Sequence, residues 1–448
     1  MRAISISIIK NTVRSIVLLG TSIAMGTVLL CLVYMLPMAP IKRHVFEDVK
    51  LLQGEGNYTV FWEGTFVRMH PNNISIETFF LNNRGMARDN YTDAIMLGNA
   101  AYEDESKSIP EKALCVYRYA KENEMPIDSL QVYLESGRID SEISYSRYWH
   151  GYLVFLKPLL CFFTYVQIRI INVLLQSVLL VFLCREIVRK IGGEYATSLF
   201  GAVLMVFPFA IPFCMQYCTA VYVMLVSSII YLRHYGYWSR KERTLYYFMM
   251  TGIVTSYVDF LTYPLITLGA LLVISALTTG EKNWFILKHS FVWCVGYFGM
   301  WAGKWVLATA ATDENVIRDG ITQMIFRTSS ATDTSAENEI SAIKAVFANF
   351  SSMTNIYYIF VFFLLVLFLA AVMKRQDGYR IKNIVGQRHF LWIAFLPIIW
   401  YCVVKNHSYD HSSFTYRALF VTIFALMAMI VRSCEKIDGS DSDYLNKK

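Results

Sequence analysis

The run SIVLLGTSIAMGTVLLCLVYM (residues 15–35) contains no charged side chain and follows Arg2, Lys10 and Arg14. A helix needs roughly 20 apolar residues to cross about 30 Å of hydrocarbon, so this stretch is long enough to span a bilayer. A cleaved leader has a shorter apolar core and ends at a small-residue site. The run therefore reads as a retained first span. Working outward, similar runs recur, giving ten expected spans at about 15–37, 166–184, 196–213, 219–233, 245–261, 264–279, 289–310, 354–373, 389–404 and 413–431. The composition agrees: of 448 residues, 55% are hydrophobic and 17% charged, against roughly 25% charged in soluble domains. Aromatics make up 15%, with many Tyr and Trp near run ends, where interfacial rings settle. The expectation is an all-α polytopic membrane protein, residues 1–448 forming one integral membrane domain.

Lysine and arginine set the expected orientation. They cluster in alternate short segments: Arg185, Arg189 and Lys190; Arg233, Arg240, Lys241 and Arg243; Lys374 to Arg388; and Arg432 to Lys448. The connections at 214–218 and 262–263 carry none. Positive short loops stay inside, which puts both termini in the cytoplasm and makes 433–448 a cytoplasmic tail. The net charge of +7 is explained by these loops and calls for no nucleic acid. Two long segments fall outside: 38–165, between the first and second spans, and 311–353. The first holds helical pieces such as 109–124 and a re-entrant stretch, YWHGYLVFLKPLLCFF (148–163). That stretch is too short to span, so it reads as an interfacial helix. Most of the nine cysteines lie in apolar runs, so no disulfide framework is visible. Cys214 and Cys218 read as buried thiols or as one pair near the outer surface.

Ionisable groups at membrane depth are costly and tend to be functional. The outer boundary collects Asp259, Lys304, Arg147 and His150, together with KNHSYDHSSFTYR (405–417), which supplies Lys405, His407, Asp410, His411 and Arg417. The outer loop adds DNYTDAIML (89–97). If 87–101 is helical, Asp89 and Asp93 share one face at i and i+4. They serve either as a base and its partner or as an N-cap and a solvated face. His407 and His411 share that spacing, which suits a metal or, with Lys405 and Arg417, a phosphate. Structural readings stand beside these: Lys304 reaching outward to headgroups, Arg417 paired with Asp410, Asp259 capping a helix before Pro264, and His150 packed at the interface. No G-x-x-x-x-G-K-[ST] or dinucleotide fingerprint is present, so a nucleotide is not expected. An activated substrate on that side would arrive attached to a lipid.

A first span, a large outer loop bearing the acidic segment RDNYTDAIM (88–96), and many further spans resemble the GT-C superfamily of membrane glycosyltransferases. The resemblance implies transfer of a sugar from a polyprenyl-phosphate donor to a glycan, lipid or protein acceptor on the outer face of the cell membrane. It implies Asp89 as base and Asp93 as its partner. Lys304, Lys405, His407, His411 and Arg417 would hold the donor phosphate, with Arg147, His150, Asp259 and Asp410 in support. It requires no cofactor, though a divalent cation is compatible with the acidic pair. Two other readings share the topology: a polymerase or ligase of diphosphate-linked oligosaccharides, and a non-enzymatic flippase for lipid-linked glycans. The flippase should carry charge deep in a span, where Arg169 is the nearest candidate, and often shows internal repeats.

Overall fold

The computed structural model describes residues 2–55, 58–62, 65–68, 84–121, 124–137, 141–238, 240–280, 283–331, 339–375 and 384–434. Helix α1 (Arg2–Val33) contains the first apolar run. The following segment folds into α2 (Met38–Glu55), α3 (Asn90–Ala101), α4 (Ile109–Cys115), α5 (Pro126–Ser136) and α6 (Leu153–Leu160). Two small antiparallel sheets thread between them. One has strand order β2–β1–β3, with β1 at Tyr58–Trp62, β2 at Thr65–Arg68 and β3 at Ala87–Asp89. The other pairs β4 (Arg118–Tyr119) with β5 (Glu142–Ile143).

Helix α2 buries Ile41, Val45, Val49 and Leu52, the i, i+4 stripe of a helix lying on a core. It packs on α3, α5 and α6. Asp48 accepts from the Val166 amide at 3.0 Å, a carboxylate at the positive end of the next helix. That helix, α7 (Tyr165–Lys190), opens with a capping box between Thr164 and Gln167. Helix α6 runs through Pro158, and Lys157 is fully buried under it, donating to the Ala100 carbonyl at 2.9 Å.

The remaining helices are α8 (Gly193–Leu204), α9 (Met215–Arg233), α10 (Tyr235–Trp238), α11 (Lys241–Val258), α12 (Leu265–Thr279), α13 (Asn283–Ala311), α14 (Val316–Thr328), α15 (Ala342–Ser351), α16 (Ile356–Arg375), α17 (His389–Val403), α18 (Lys405–Asp410), α19 (Ser412–Thr415) and α20 (Leu419–Ser433). Five stretches among the described residues are long and apolar enough to cross a membrane: Lys10–Val33, Tyr165–Lys190, Met215–Arg233, Ile356–Met373 and Ser412–Ser433. The chain is a multi-pass membrane protein. The first, second and fourth of these are only 17%, 28% and 22% buried, whereas Met215–Arg233 and Ser412–Ser433 are 72% and 78% buried. Helices α9 and α20 are therefore the centre, and α1, α7 and α16 turn apolar sides outward.

The expectation of ten spans is corrected to five, for local reasons. The run 196–213 breaks at Leu204, ahead of Pro208 and a 3-10 turn at Ile211–Phe213, leaving α8 with 12 residues. Helices α12 and α17 have 15 residues each, about 22 Å at ~1.5 Å per residue. Helix α11 spends its first turn on Lys241, Glu242, Arg243 and Thr244. Helix α13 is long, but Lys288, His289, Lys304 and four tryptophans dilute its apolar character. Helices α11 and α13 instead pack on each other through glycine. A Cβ on Gly252 would stand 2.2 Å from the Trp293 carbonyl oxygen, and one on Gly296 would stand 2.2 Å from that of Met249. The expected loop 311–353 contains α14 and α15, and most of the expected tail, 435–448, lies outside the described residues.

Candidate functional site

Only some of the polar residues singled out by sequence gather where the 38–165 segment meets the ends of α7, α9, α11 and α20. Asp89 ends β3 and is the N-cap of α3. Its Oδ1 accepts from the Thr92 amide at 2.9 Å, and its Oδ2 accepts from the Thr92 hydroxyl at 2.9 Å and from Gln216 Nε2 at 2.5 Å. It is buried, and burial pushes its carboxyl above the usual range. Asp93, one turn on, has no exposed surface. It accepts from Tyr165 Oη at 2.5 Å, from the Met215 amide at 2.9 Å and from Arg169 Nη2 at 3.5 Å. Burial outweighs Arg169 and raises Asp93 to about 7.

Arg169, expected only as the span charge of a flippase, and Glu55, which had no expected role, complete this network. Arg169 donates to Asn90 Oδ1 at 2.8 Å and to Glu55 Oε2 at 3.0 Å. Glu55 also accepts from Arg88 Nη1 at 3.0 Å and Asn90 Nδ2 at 3.0 Å. Against its burial, Arg169 and Arg88 pull the Glu55 carboxyl below its usual value. The end of α2, the start of α3 and the first turn of α7 are thus locked by charge. The signal in the sequence was Arg169 itself: an arginine at the start of an apolar run requires a counter-ion. Nothing local indicated that Glu55 would be that ion.

Gln216 and Tyr217 connect this network to Arg417. The amide of Gln216 holds Asp89, and the next ring, Tyr217, lies 4.2 Å from the Arg417 guanidinium carbon. Arg417 is 1% exposed. It donates to the Gly85 carbonyl at 3.1 Å and the Ser413 carbonyl at 3.2 Å, while its Nε has no hydrogen-bond partner. No carboxylate among the described residues pairs with it; Asp410 accepts instead from Asn406 at 3.0 Å. A buried cation without a counter-ion is expensive. Arg417 lies on the wall of a cavity of about 110 Å³, which is otherwise mostly apolar. Gln176, Leu180, Val206, Met224 and Phe420 are among its lining residues, with exposed Ser177 on α7 at the rim.

The remaining candidates form a second nest. Phe260 packs against Tyr145, Tyr148, His150 and Tyr152, with ring centroids 6.0, 5.7, 4.8 and 5.1 Å away. His150 Nε2 donates to the Tyr145 carbonyl at 2.8 Å, and burial depresses its pKa to about 3. Asp259 caps the turn after α11, accepting from the Thr262 amide at 3.1 Å and from its hydroxyl; burial raises it to about 6. His407 Nε2 lies 2.7 Å from the Leu261 carbonyl. Of the four non-glycine residues with left-handed φ among the described residues, His150 (55°) and Leu261 (65°) border this nest, and Val116 (48°) precedes Arg118 beside it. Such strain concentrates where function over-determines the backbone.

The expected phosphate-binding set does not converge. Lys304 is fully buried under α4, donating to the Leu114 carbonyl at 2.5 Å, and Lys405 donates to Ser330 at 2.7 Å. His411 stacks on Phe414 at 5.2 Å, with His407 4.8 Å away. Among the described residues no three His, Cys, Asp or Glu side chains are grouped to hold a metal ion. Cys214 and Cys218 are separate thiols; the Cys214 sulfur accepts from the Asp89 amide at 3.2 Å. Comparison with protein-family models, curated proteins and solved structures finds no match.

Proposed function

We propose that the protein is a membrane glycosyltransferase. It moves a sugar from a polyprenyl-phosphate donor to an acceptor hydroxyl on the outer face of the cytoplasmic membrane, with both termini inside as loop charge dictates. One observation carries the reading. A buried guanidinium without a counter-ion among the described residues, Arg417, lies on the wall of a largely apolar cavity and is two residues removed, through Tyr217 and Gln216, from the buried carboxylate Asp89. A lipid phosphate supplies the missing negative charge while its isoprenoid enters the cavity.

In the reaction the acceptor oxygen attacks the anomeric carbon as the bond from that carbon to the phosphate oxygen breaks. Asp89 takes the acceptor proton, and Arg417 stabilises the charge gained by the departing polyprenyl phosphate. Burial makes Asp89 a stronger base than an exposed carboxylate. To receive the proton it must release the Gln216 amide from Oδ2. Asp93 is a positioning residue: its bonds to Met215, Tyr165 and Arg169 fix α3 against α7 and α9. The reading requires no cofactor and leaves room for a divalent cation between substrate and carboxylates.

Native mass spectrometry of protein taken gently from its own membrane tests the donor. A retained polyprenyl monophosphate that is lost in Arg417→Gln supports the reading. A retained diphosphate-linked oligosaccharide points to the polymerase or ligase, and ordinary phospholipid alone removes the support. In a turnover assay with the identified donor, Asp89→Asn should lose at least about a hundredfold in rate, the usual scale of general-base catalysis.

A further inference from the structure

We propose that α14 and α15 lie in the headgroup layer of the bilayer, on the side that carries Arg417, with their apolar rows on lipid chains and their inner faces holding the 405–417 segment. The proposal does not depend on the transferase reading. Both helices turn their apolar residues away from the protein. On α14 the exposed side chains include Ile317, Ile321, Met324 and Ile325, spaced as one face of a helix. On α15 they are Ile343, Lys344, Phe347 and Phe350, and Ile343 and Phe347 are each 69% exposed. The Ile340 amide donates to the Ser330 carbonyl at 2.8 Å, which brings the chain entering α15 back to the residues leaving α14. Clustered apolar exposure of this kind marks a contact surface.

The neighbours identify the partner as lipid. Only residues 352–355 separate α15 from the span Ile356–Met373, whose first turns expose Ile356, Ile359, Phe360 and Phe363. Helix α15 also packs on α17, which turns Phe395, Ile399 and Val403 outward. The row on α15 therefore continues a surface that the bilayer already covers. A protein partner seated on it would have to displace lipid from α16 and α17 as well. The charges agree. The exposed ones on the two helices are cations, Arg318 beside Ile317 and Lys344 beside Ile343. The one carboxylate on either helix, Asp319, is turned to Arg147 at 3.5 Å. Cations at the edge of an apolar row lay their stems along lipid and carry their heads to its phosphates.

The inner faces grip the segment that ends in Arg417. Asn349, fully buried on α15, donates to the Ser408 carbonyl at 2.7 Å, and the Thr415 hydroxyl lies 2.7 Å from its Oδ1. Just past the helix, the Ser352 hydroxyl lies 3.1 Å from the Ser412 carbonyl. At the end of α14, Arg327 donates to Asn406 Oδ1 at 3.0 Å. Helix α14 is itself pressed onto α13: a Cβ on Gly320 would stand 2.5 Å from the Trp305 ring. With lipid under one face and 405–417 on the other, α15 is a tie between them. Thr415 precedes Arg417 by two residues, so a change that lifts α15 from the lipid also loosens the turn carrying the buried guanidinium.

Photo-crosslinking in the cell membrane tests the lipid contact without turnover. In the full-length protein, Phe347 is replaced by p-benzoylphenylalanine, and in a comparison sample Phe360 of the span is replaced instead. After irradiation and denaturing purification, the mass of each product is measured. Phospholipid adducts are expected at both positions. A covalent dimer or an adduct with another protein at 347 overturns the proposal. So does the absence of a lipid adduct at 347 while 360 gives one. Hydrogen exchange in nanodiscs of phosphatidylethanolamine and phosphatidylglycerol then tests the tie. Phe347→Asp places a carboxylate against lipid chains, so exchange across 405–417 should speed up at least about tenfold while Met215–Arg233 keeps its protection. Phe347→Leu, which keeps the row apolar, should leave both unchanged. Unaltered exchange across 405–417 in Phe347→Asp, or a rise shared equally by Met215–Arg233, shows that α15 is not a local tie and overturns that half of the proposal.

Discussion

Arg169→Met removes the cation that three groups share. Met approximates the stem of arginine and leaves no donor. Glu55 loses a partner at 3.0 Å, Asn90 one at 2.8 Å and Asp93 one at 3.5 Å. Breaking a buried ion pair from one side costs about 3–5 kcal/mol, because a charge is stranded. The three losses do not simply add. Glu55 keeps Arg88 and is 16% exposed, so water can reach it. Asp93 is sealed, but it can escape by taking a proton, since burial already holds it near 7 against an ordinary value near 4. The sign follows: a carboxyl raised in the folded state binds its proton more tightly there, so stability falls as pH rises from about 4 through about 7. Without Arg169 that window extends upward. The loss from Arg169→Met should be about 3–5 kcal/mol near pH 8 and clearly smaller near pH 6. Equilibrium unfolding in mixed micelles at the two pH values measures it. A cycle with Glu55→Gln should give a coupling of at least about 1 kcal/mol. If the two substitutions simply add, or if the loss is the same at both pH values, the shared-cation account is wrong.

Other predictions address separate parts of the molecule. Gly296→Leu places a side chain against the Met249 carbonyl, so α11 and α13 must part; the unfolding free energy should drop by at least about 1–3 kcal/mol, and a cysteine cross-link between the helices should become inefficient. His150 is held neutral by burial, with its pKa near 3. A depressed base loses stability as pH falls from about 6.5, so His150→Gln should flatten the acid limb of the wild-type stability curve. Lys304→Met removes the bonds that hold the end of α4; hydrogen exchange should rise across 109–117 while the spans keep their protection, and a uniform rise would disprove a local role. Tyr416→Phe removes the hydroxyl that lies 2.6 Å from the Gly85 carbonyl and 2.9 Å from that of Val206; Gly85 keeps Arg417 at 3.1 Å, and the loss at buried Val206 should cost about 1–3 kcal/mol.

Much of this architecture can be read locally. The runs that became α1, α7, α9, α16 and α20 are apolar over the length a bilayer requires, and their positions follow from that. The helix after Asp89 and its capping geometry were likewise visible in DNYTD. What could not be read was pairing over distance. Glu55 and Arg169 are 114 residues apart, and Gly85 and Arg417 are 332 apart; no periodicity encodes either contact. The overcount of spans has a related cause. A hydropathy window sees that 265–279 is apolar, but not that every residue from Leu265 to Leu277 is buried by neighbours. An apolar run in a large membrane protein answers either to lipid or to other helices, and composition does not say which.

The short helices act on the membrane as well as on the fold. Helix α12 is enclosed, so its 15 residues never need to match a bilayer. Helix α17 has the same length but turns Trp392, Phe395, Ile399 and Val403 outward, and the 12-residue α8 exposes Phe200. Their lipid-facing lengths are about 22 and 18 Å against about 30 Å of hydrocarbon. Hydrophobic mismatch of this size is relieved by local thinning of the bilayer, at fractions of a kcal/mol per Å. Val203 at the end of α8 lines the same cavity as Arg417. Lipids that settle there would be drawn below the plane of their neighbours, and the lipid phosphate proposed above would then have a shorter descent to Arg417 than the thickness of the surrounding membrane would impose.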